Sequence, residues 1–234
     1  MGSRKTTRVS NSAVLVKICG LTCVEDAQVC AEMGADWIGL NFHPGSPRYV
    51  AHGVAADIIA ALPDTVAAVG VFVDRPPIEV AEVAERLGLE IVQLHGREPP
   101  EDLLRLKSFR VIRAFRLGHP SAWKAVCDYL AQADALGRPL DGVLVDAYVG
   151  GQPGGTGVSI TDEILDCRPP LPRLILAGGL TPRNVADRVA RIRPWMVDVA
   201  SGVESVPGRK DPDSVAAFIR AARGADRAQD DVLP

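Results

Sequence analysis

No apolar run in this 234-residue chain approaches the roughly 18–20 residues that span a bilayer. Charge of one sign is also lacking: 26 basic against 29 acidic residues leaves −3. That balance offers no electrostatic attraction to nucleic acid or to a membrane surface. Paired cysteines are missing. The five present are Cys19, Cys23, Cys30, Cys127 and Cys167. No Cys-x-x-Cys or His-x-x-x-His spacing completes a zinc site. An odd set of this kind implies free thiols in a reducing cytoplasm. Met1 to Asn11 is polar, holds three basic residues and has no apolar stretch, so it is expected to be a disordered arm and not a secretory signal. No Gly-Lys-Ser/Thr follows a glycine loop, which excludes a Walker site. No Gly-x-Gly-x-x-Gly opens the first helix, which excludes a dinucleotide fingerprint.

What the chain does have is alternation. Short apolar runs recur at Ala13–Ile18, Trp37–Phe42, Val66–Val73, Glu90–Leu94, Val111–Phe115, Gly142–Asp146, Leu174–Ala177 and Met196–Ala200. Most are too continuous for a strand with one wet face and suit parallel strands buried on both. Amphipathic, helix-like stretches separate them: 24–33, 54–62, 78–87, 100–107, 121–136, 161–166, 182–190 and 213–223. Thr181-Pro182 and Asp211-Pro212 read as helix starts, Gly34 and Gly88 as helix stops. Eight repeats without a composition break predict a single (β/α)8 TIM barrel of parallel strands over residues 14–223. An open doubly wound sheet is the alternative. Residues 1–13 are expected to be an arm and 224–234 a flexible tail.

Two strand ends carry chemistry. Cys19, in Lys17-Ile18-Cys19-Gly20-Leu21-Thr22, falls where strand 1 meets its loop. Its thiol becomes a base if its anion is stabilised; alone, an inert buried thiol is the alternative. Asp146 ends strand 6 and offers a matching acid. Lys17 shares the face of Cys19, since strand side chains alternate, and is the expected stabiliser of the thiolate. Glycines gather after strands 7 and 8, at Gly178-Gly179 and Ser201-Gly202, with a further cluster at 150–157. In (β/α)8 barrels the loops after strands 7 and 8 often bind phosphate. A short helix beginning within 201–205 would turn its positive end toward that anion. His95 closes strand 4 as a structural or ligand-contacting residue, and Arg113 near the end of strand 5 is expected at the mouth. His43, His52 and His119 fall in loops and receive no role.

With these pieces placed, the chain resembles the phosphoribosylanthranilate isomerase family of tryptophan biosynthesis. The resemblance rests on Lys17–Thr22, Pro44-Gly45-Ser46-Pro47-Arg48-Tyr49-Val50, Val69–Val73, Val92-Gln93-Leu94-His95-Gly96, Leu144-Val145-Asp146, Gly154–Gly157, Leu176–Pro182 and Val197–Glu204, over about residues 14–220. It implies an Amadori rearrangement of N-(5′-phosphoribosyl)anthranilate to 1-(2-carboxyphenylamino)-1-deoxyribulose 5-phosphate, without metal or organic cofactor. It implies Cys19 as general base and Asp146 as general acid, and Arg48 on the anthranilate carboxylate. Lys17, His95 and Arg113 complete the expected substrate contacts, and Gly178, Gly179, Ser201 and Gly202 the phosphate contacts. The expected partner is the phosphorylated ribosyl amine, with no nucleic acid or membrane, in a monomer or homodimer. Val158-Ser159-Ile160-Thr161 departs from the family's Thr-Phe-Asp-Trp-like segment, and Ala200 stands where a serine is common. A paralogue acting on another ribosyl amine, or a barrel that binds phosphosugars without catalysis, is the competing reading.

Overall fold

A computed structural model describes residues 13–147, 160–171 and 173–230, the last with side chains to 225. The strands are β1 Leu15–Cys19, β2 Trp37–Asn41, β3 Ala67–Phe72, β4 Ile91–Leu94, β5 Arg110–Leu117, β6 Gly142–Ala147, β7 Leu174–Leu176 and β8 Met196–Val199. They close into a barrel in chain order, all neighbours parallel, β8 pairing with β1. The expected barrel is therefore observed, and the open sheet is not. The helices are α1 Val24–Glu32, α2 His52–Ala61, α3 Pro77–Leu87, α4 Trp123–Ala135, α5 Asp162–Asp166, α6 Val185–Ile192 and α7 Pro212–Asp230. A small antiparallel pair, β9 Glu204–Val206 and β10 Arg209–Lys210, follows β8. Among the described residues, no helix is long and apolar enough to cross a membrane.

Continuous apolar strands are required because both faces are covered. Val16, Ile18, Ile38, Leu40, Val143 and Val145 point outward into the layer beneath the helices, all fully buried. Val69, Ile91, Ile112, Leu144, Ile175 and Met196 point inward and fill the barrel as a separate cluster. At its floor Trp37 and Trp195 meet edge to face, 5.4 Å between ring centres. Above the apolar filling the inward positions turn polar: Lys17 and Gln93 are wholly buried and Asp198 nearly so. Interior positions of a barrel are stacked in such layers, and the polar layer is the base of the open end.

Four local expectations are corrected. The segment read as a helix over 100–107 is a 3₁₀ turn, Pro100–Arg105. The Leu103 and Leu106 carbonyls accept from the Arg138 guanidinium at 3.2 and 2.9 Å, in place of a further helical turn. Thr181-Pro182 does not start α6. The Asn184 carboxamide accepts from the Thr181 N–H and donates to the Gly179 carbonyl, which builds a turn and delays the helix to Val185. The expected helix within 201–205 is only the 3₁₀ turn Ser201–Val203, because Glu204 already enters β9. Residues 224–230, read as tail, continue α7. Phe218, Ile219 and Ala222 anchor that helix in the core, and the alanines and charged residues beyond are good helix formers. Asp211 does open α7, its carboxylate accepting from the Ser214 N–H at 2.8 Å. Gly88 ends α3 with φ of 65°. Residues 1–12, the cluster at 150–157 and the departure at 158–159 lie outside the described residues.

Candidate active site

Inward positions at the ends of the strands converge on one cavity at the open end. Cys19 (β1), Asn41 (β2), His95 just past β4, Arg116 (β5), Asp146 (β6) and Asp198 (β8) line it. So do the loop residues His43 and Arg48, and Gly178, Gly179, Ser201 and Gly202 beyond β7 and β8. Cys19 and Asp146 thus enter the same space from strands on different sides of the barrel.

Cys19 opens to this cavity and is enclosed by protein on its other sides. Burial pushes its thiol above the usual 9.0, with Asp198 adding to the rise, while Lys17 and Lys210 pull it back. Lys17 lies inside the barrel and donates to Asp198 at 3.0 Å. Burial alone would lower its pKa; Asp198 and Cys19 outweigh that, and the ammonium is held above 10.5. Lys17 does not line the cavity, so it meets the thiol from beneath. Lys210 is a second brace. Its ammonium donates to the Cys19 carbonyl at 2.7 Å, the Ala200 carbonyl at 3.1 Å and Glu204 Oε1 at 2.9 Å. It therefore ties the ends of β1 and β8 to the β9–β10 pair.

The thiol has room because Gly39 is its partner across β1 and β2. A Cβ there would lie 2.6 Å from Cys19 Sγ and 3.0 Å from Cys19 Cα. Gly39→Ala is expected to cost about 1–3 kcal/mol of stability through overpacking. It should also lower kcat by about tenfold as the thiol is displaced; chemical denaturation and steady-state kinetics check both.

Asp146 Oδ1 accepts from the Ala147 N–H at 2.8 Å, and Oδ2 stands 3.7 Å from His95 Nε2. The Gln93 amide nitrogen lies 2.9 Å from His95 Nδ1. Arg48 is held in a fork by Glu204, Nε to Oε1 at 2.8 Å and Nη2 to Oε2 at 2.7 Å. Burial of Glu204 opposes ionisation, but Arg48 and Lys210 overcome it and its pKa is lowered.

Arg113 is corrected. On β5, Ile112 and Ala114 belong to the inner cluster, so Arg113 faces out. Its guanidinium donates to the Leu94 and Gly96 carbonyls at 3.1 and 3.0 Å and lies 3.5 Å from Glu98. It also stacks on Phe115 and Tyr129. Glu98 in turn accepts from the Asp74 and Gly96 N–H groups. Arg113 therefore fastens the loop after His95 and does not reach the cavity. Arg116, three residues on, is the inward arginine. Arg116, Asp198, Glu204, Lys210 and His43 were missed as site residues. For Asp198 the sequence held a signal, a charged residue inside an apolar strand, as for Lys17. For Arg116 counting by twos from Ala114 would have served. Among the described residues, no group of three or more His, Cys, Asp or Glu side chains is placed to hold a metal ion.

The family model described as N-(5′-phosphoribosyl)anthranilate (PRA) isomerase matches residues 16–221. An N-(5′-phosphoribosyl)anthranilate isomerase of Geobacter sulfurreducens is 46% identical over 211 residues, covering 90% of this chain and 99% of the relative. Among solved structures, phosphoribosyl anthranilate isomerase of Thermotoga maritima superposes with a TM-score of 0.79 at 37% identity, covering 90% of this chain and 99% of that one. Another, in complex with reduced 1-(o-carboxyphenylamino)-1-deoxyribulose 5-phosphate, gives 0.76 at 36% identity and the same coverage. Together with the closed barrel and the residues gathered at its mouth, these matches place the chain in the phosphoribosylanthranilate isomerase family.

Proposed function

We propose that this chain isomerises N-(5′-phosphoribosyl)anthranilate to 1-(2-carboxyphenylamino)-1-deoxyribulose 5-phosphate, with Asp146 as general acid and Cys19 as general base. The carrying observation is that both project into one cavity whose rim is made of the glycine-bearing ends of β7 and β8. The chemistry follows from the groups. Protonated Asp146 gives its proton to the ribose ring oxygen as the bond from C1′ to that oxygen breaks. The amine lone pair forms the imine. The Cys19 thiolate then removes the C2′ proton, and electrons flow to the imine nitrogen to give the enolamine. That tautomer becomes the aminoketone by moving its hydroxyl proton to C1′. Atoms and charge balance within the substrate and two side chains. Positioned acids and bases of this kind contribute about 10²–10⁴-fold each.

Gly178, Gly179, Ser201 and Gly202 are proposed to hold the phosphate, since glycine lets backbone N–H groups approach an anion. Arg48 is proposed to meet the anthranilate carboxylate through its Nη1 side, as Glu204 occupies the Nε–Nη2 edge. His95 is proposed to contact the ribose beside Asp146. Incubating the protein with the phosphoribosyl amine and following the ketose tests the reading. Absence of turnover in the folded protein would overturn it.

Lys17 is proposed to act on the thiol and not on the substrate. Burial raises the thiol pKa above its ordinary value, and Lys17 opposes that rise. Alkylation of Cys19, read on its peptide by mass spectrometry, should therefore rise with pH through neutrality and level only at alkaline pH. Lys17 pulls the thiol pKa down, so Lys17→Met moves that plateau to higher pH. The double variant Lys17→Met/Asp198→Asn leaves no buried unpaired carboxylate and separates misfolding from the electrostatic effect. An unmoved plateau in both would sink the assignment.

A further inference from the structure

Among the described residues, two guanidinium groups line the cavity, Arg48 and Arg116, and they differ in what they are already bonded to. Arg48 is committed to Glu204 along one full edge, and Glu204 is shared with Lys210. Arg116 forms no hydrogen bond or ion pair with any described residue, and its Nε is buried without a hydrogen-bond partner. The guanidinium lines the cavity with no acceptor among the described residues, so an anionic ligand atom there is its natural acceptor. Arg116 sits opposite Asp146 in the β5–β6 register, on the inward face.

The occupant follows from the order of the barrel. On the reading proposed above, on which this inference rests, the phosphate lies at β7 and β8 and the ribose between Cys19 and Asp146. The aryl amine then extends over the remaining strands, where Val71 and Val73 of β3 and its loop form an apolar wall. Its carboxylate is the substrate's own anion at that end. Arg116 on one flank and Arg48 on the other are the cations that face it. A planar guanidinium with a free edge pairs with a carboxylate through two parallel hydrogen bonds.

We propose that Arg116 binds the carboxylate of the aryl amine and is a specificity-determining residue that separates carboxylated from plain aryl substrates. The test needs no turnover. Calorimetry measures binding of reduced 1-(2-carboxyphenylamino)-1-deoxyribulose 5-phosphate and of the counterpart with a plain phenylamino group. The wild type should prefer the carboxylated ligand. Arg116→Gln should weaken that ligand by about tenfold or more and leave the phenylamino ligand unchanged. Arg116→Lys should recover part of the loss, since charge returns without the fork. Equal weakening of both ligands would overturn the proposal, because Arg116 would then serve the phosphate, the ribose or the fold. So would an unchanged affinity for the carboxylated ligand. A wild type that binds neither ligand would instead bring down the isomerase reading, and this inference with it.

Discussion

Replacing Cys19 by alanine should lower kcat by about 10²–10⁴-fold while KM changes little. As the proposed base, the thiol would meet the reacting carbon only as its proton leaves, so its loss would remove an interaction of the transition state. The cavity would gain a small void, and the Cys19 carbonyl would stay tied to Lys210, so the fold should persist. Asp146→Asn should fall in the same range. The amide keeps the shape and the neighbour His95 but has no acidic proton to give the ring oxygen. Because the proposed base and acid would act in successive steps on one substrate, the double variant should lose less than the product of the two single losses. Steady-state kinetics on the purified variants, with a thermal melt to show folding, decides this. Wild-type turnover in either single variant would reassign that residue.

Gly202→Ala should abolish most substrate affinity. A Cβ at this position would fall well inside contact with the Leu180 carbonyl oxygen, and 3.0 Å from its carbonyl carbon and 3.3 Å from Thr181 Cα. These are backbone atoms and cannot swing aside as a side chain would. The loops after β7 and β8 must part, and the proposed phosphate cradle opens. A displacement on the order of 1 Å at a positioning site costs about 10²-fold, expected here in kcat/KM and chiefly through KM. Gly224→Ala is the matched control. Nothing stands within 4 Å of its would-be Cβ, and it lies inside α7, where alanine should add about 0.5–1 kcal/mol of stability. Kinetics should be wild type there. If Gly202→Ala keeps its KM, the phosphate is held elsewhere.

Arg113 and Arg116 have different fates because of a single step along one strand. Both lie on β5, Arg110–Leu117, three residues apart, and a strand read as ending at Phe115 makes Arg113 the mouth residue. A strand turns successive side chains to opposite faces, so the parity of a single residue decides between a loop brace and a ligand contact. Between Arg110 and Arg113 β5 is apolar on both faces, so its composition alone did not mark the inner one. Lys17 illustrates the opposite case. A lysine two residues before Cys19 must share its face, and the structure places it beneath the thiol. Its partner Asp198, 181 residues away, was legible as an oddity in an apolar strand but not as a partner.

The chain's own order of residues determined the eight parallel strands, the single barrel and the strand ends that bear Cys19, Asp146 and the glycines. It did so because a strand buried on both faces has no choice but to be continuously apolar, and a barrel puts its chemistry where such strands stop. Only the tertiary structure decided which charges meet. Arg48 with Glu204, Lys17 with Asp198 and Lys210 with the Cys19 carbonyl each join residues more than 150 positions apart. Such pairs arise when β8 closes on β1, since barrel closure brings together residues from the two ends of the chain. The same closure leaves Arg116 as the inward guanidinium that no described side chain neutralises.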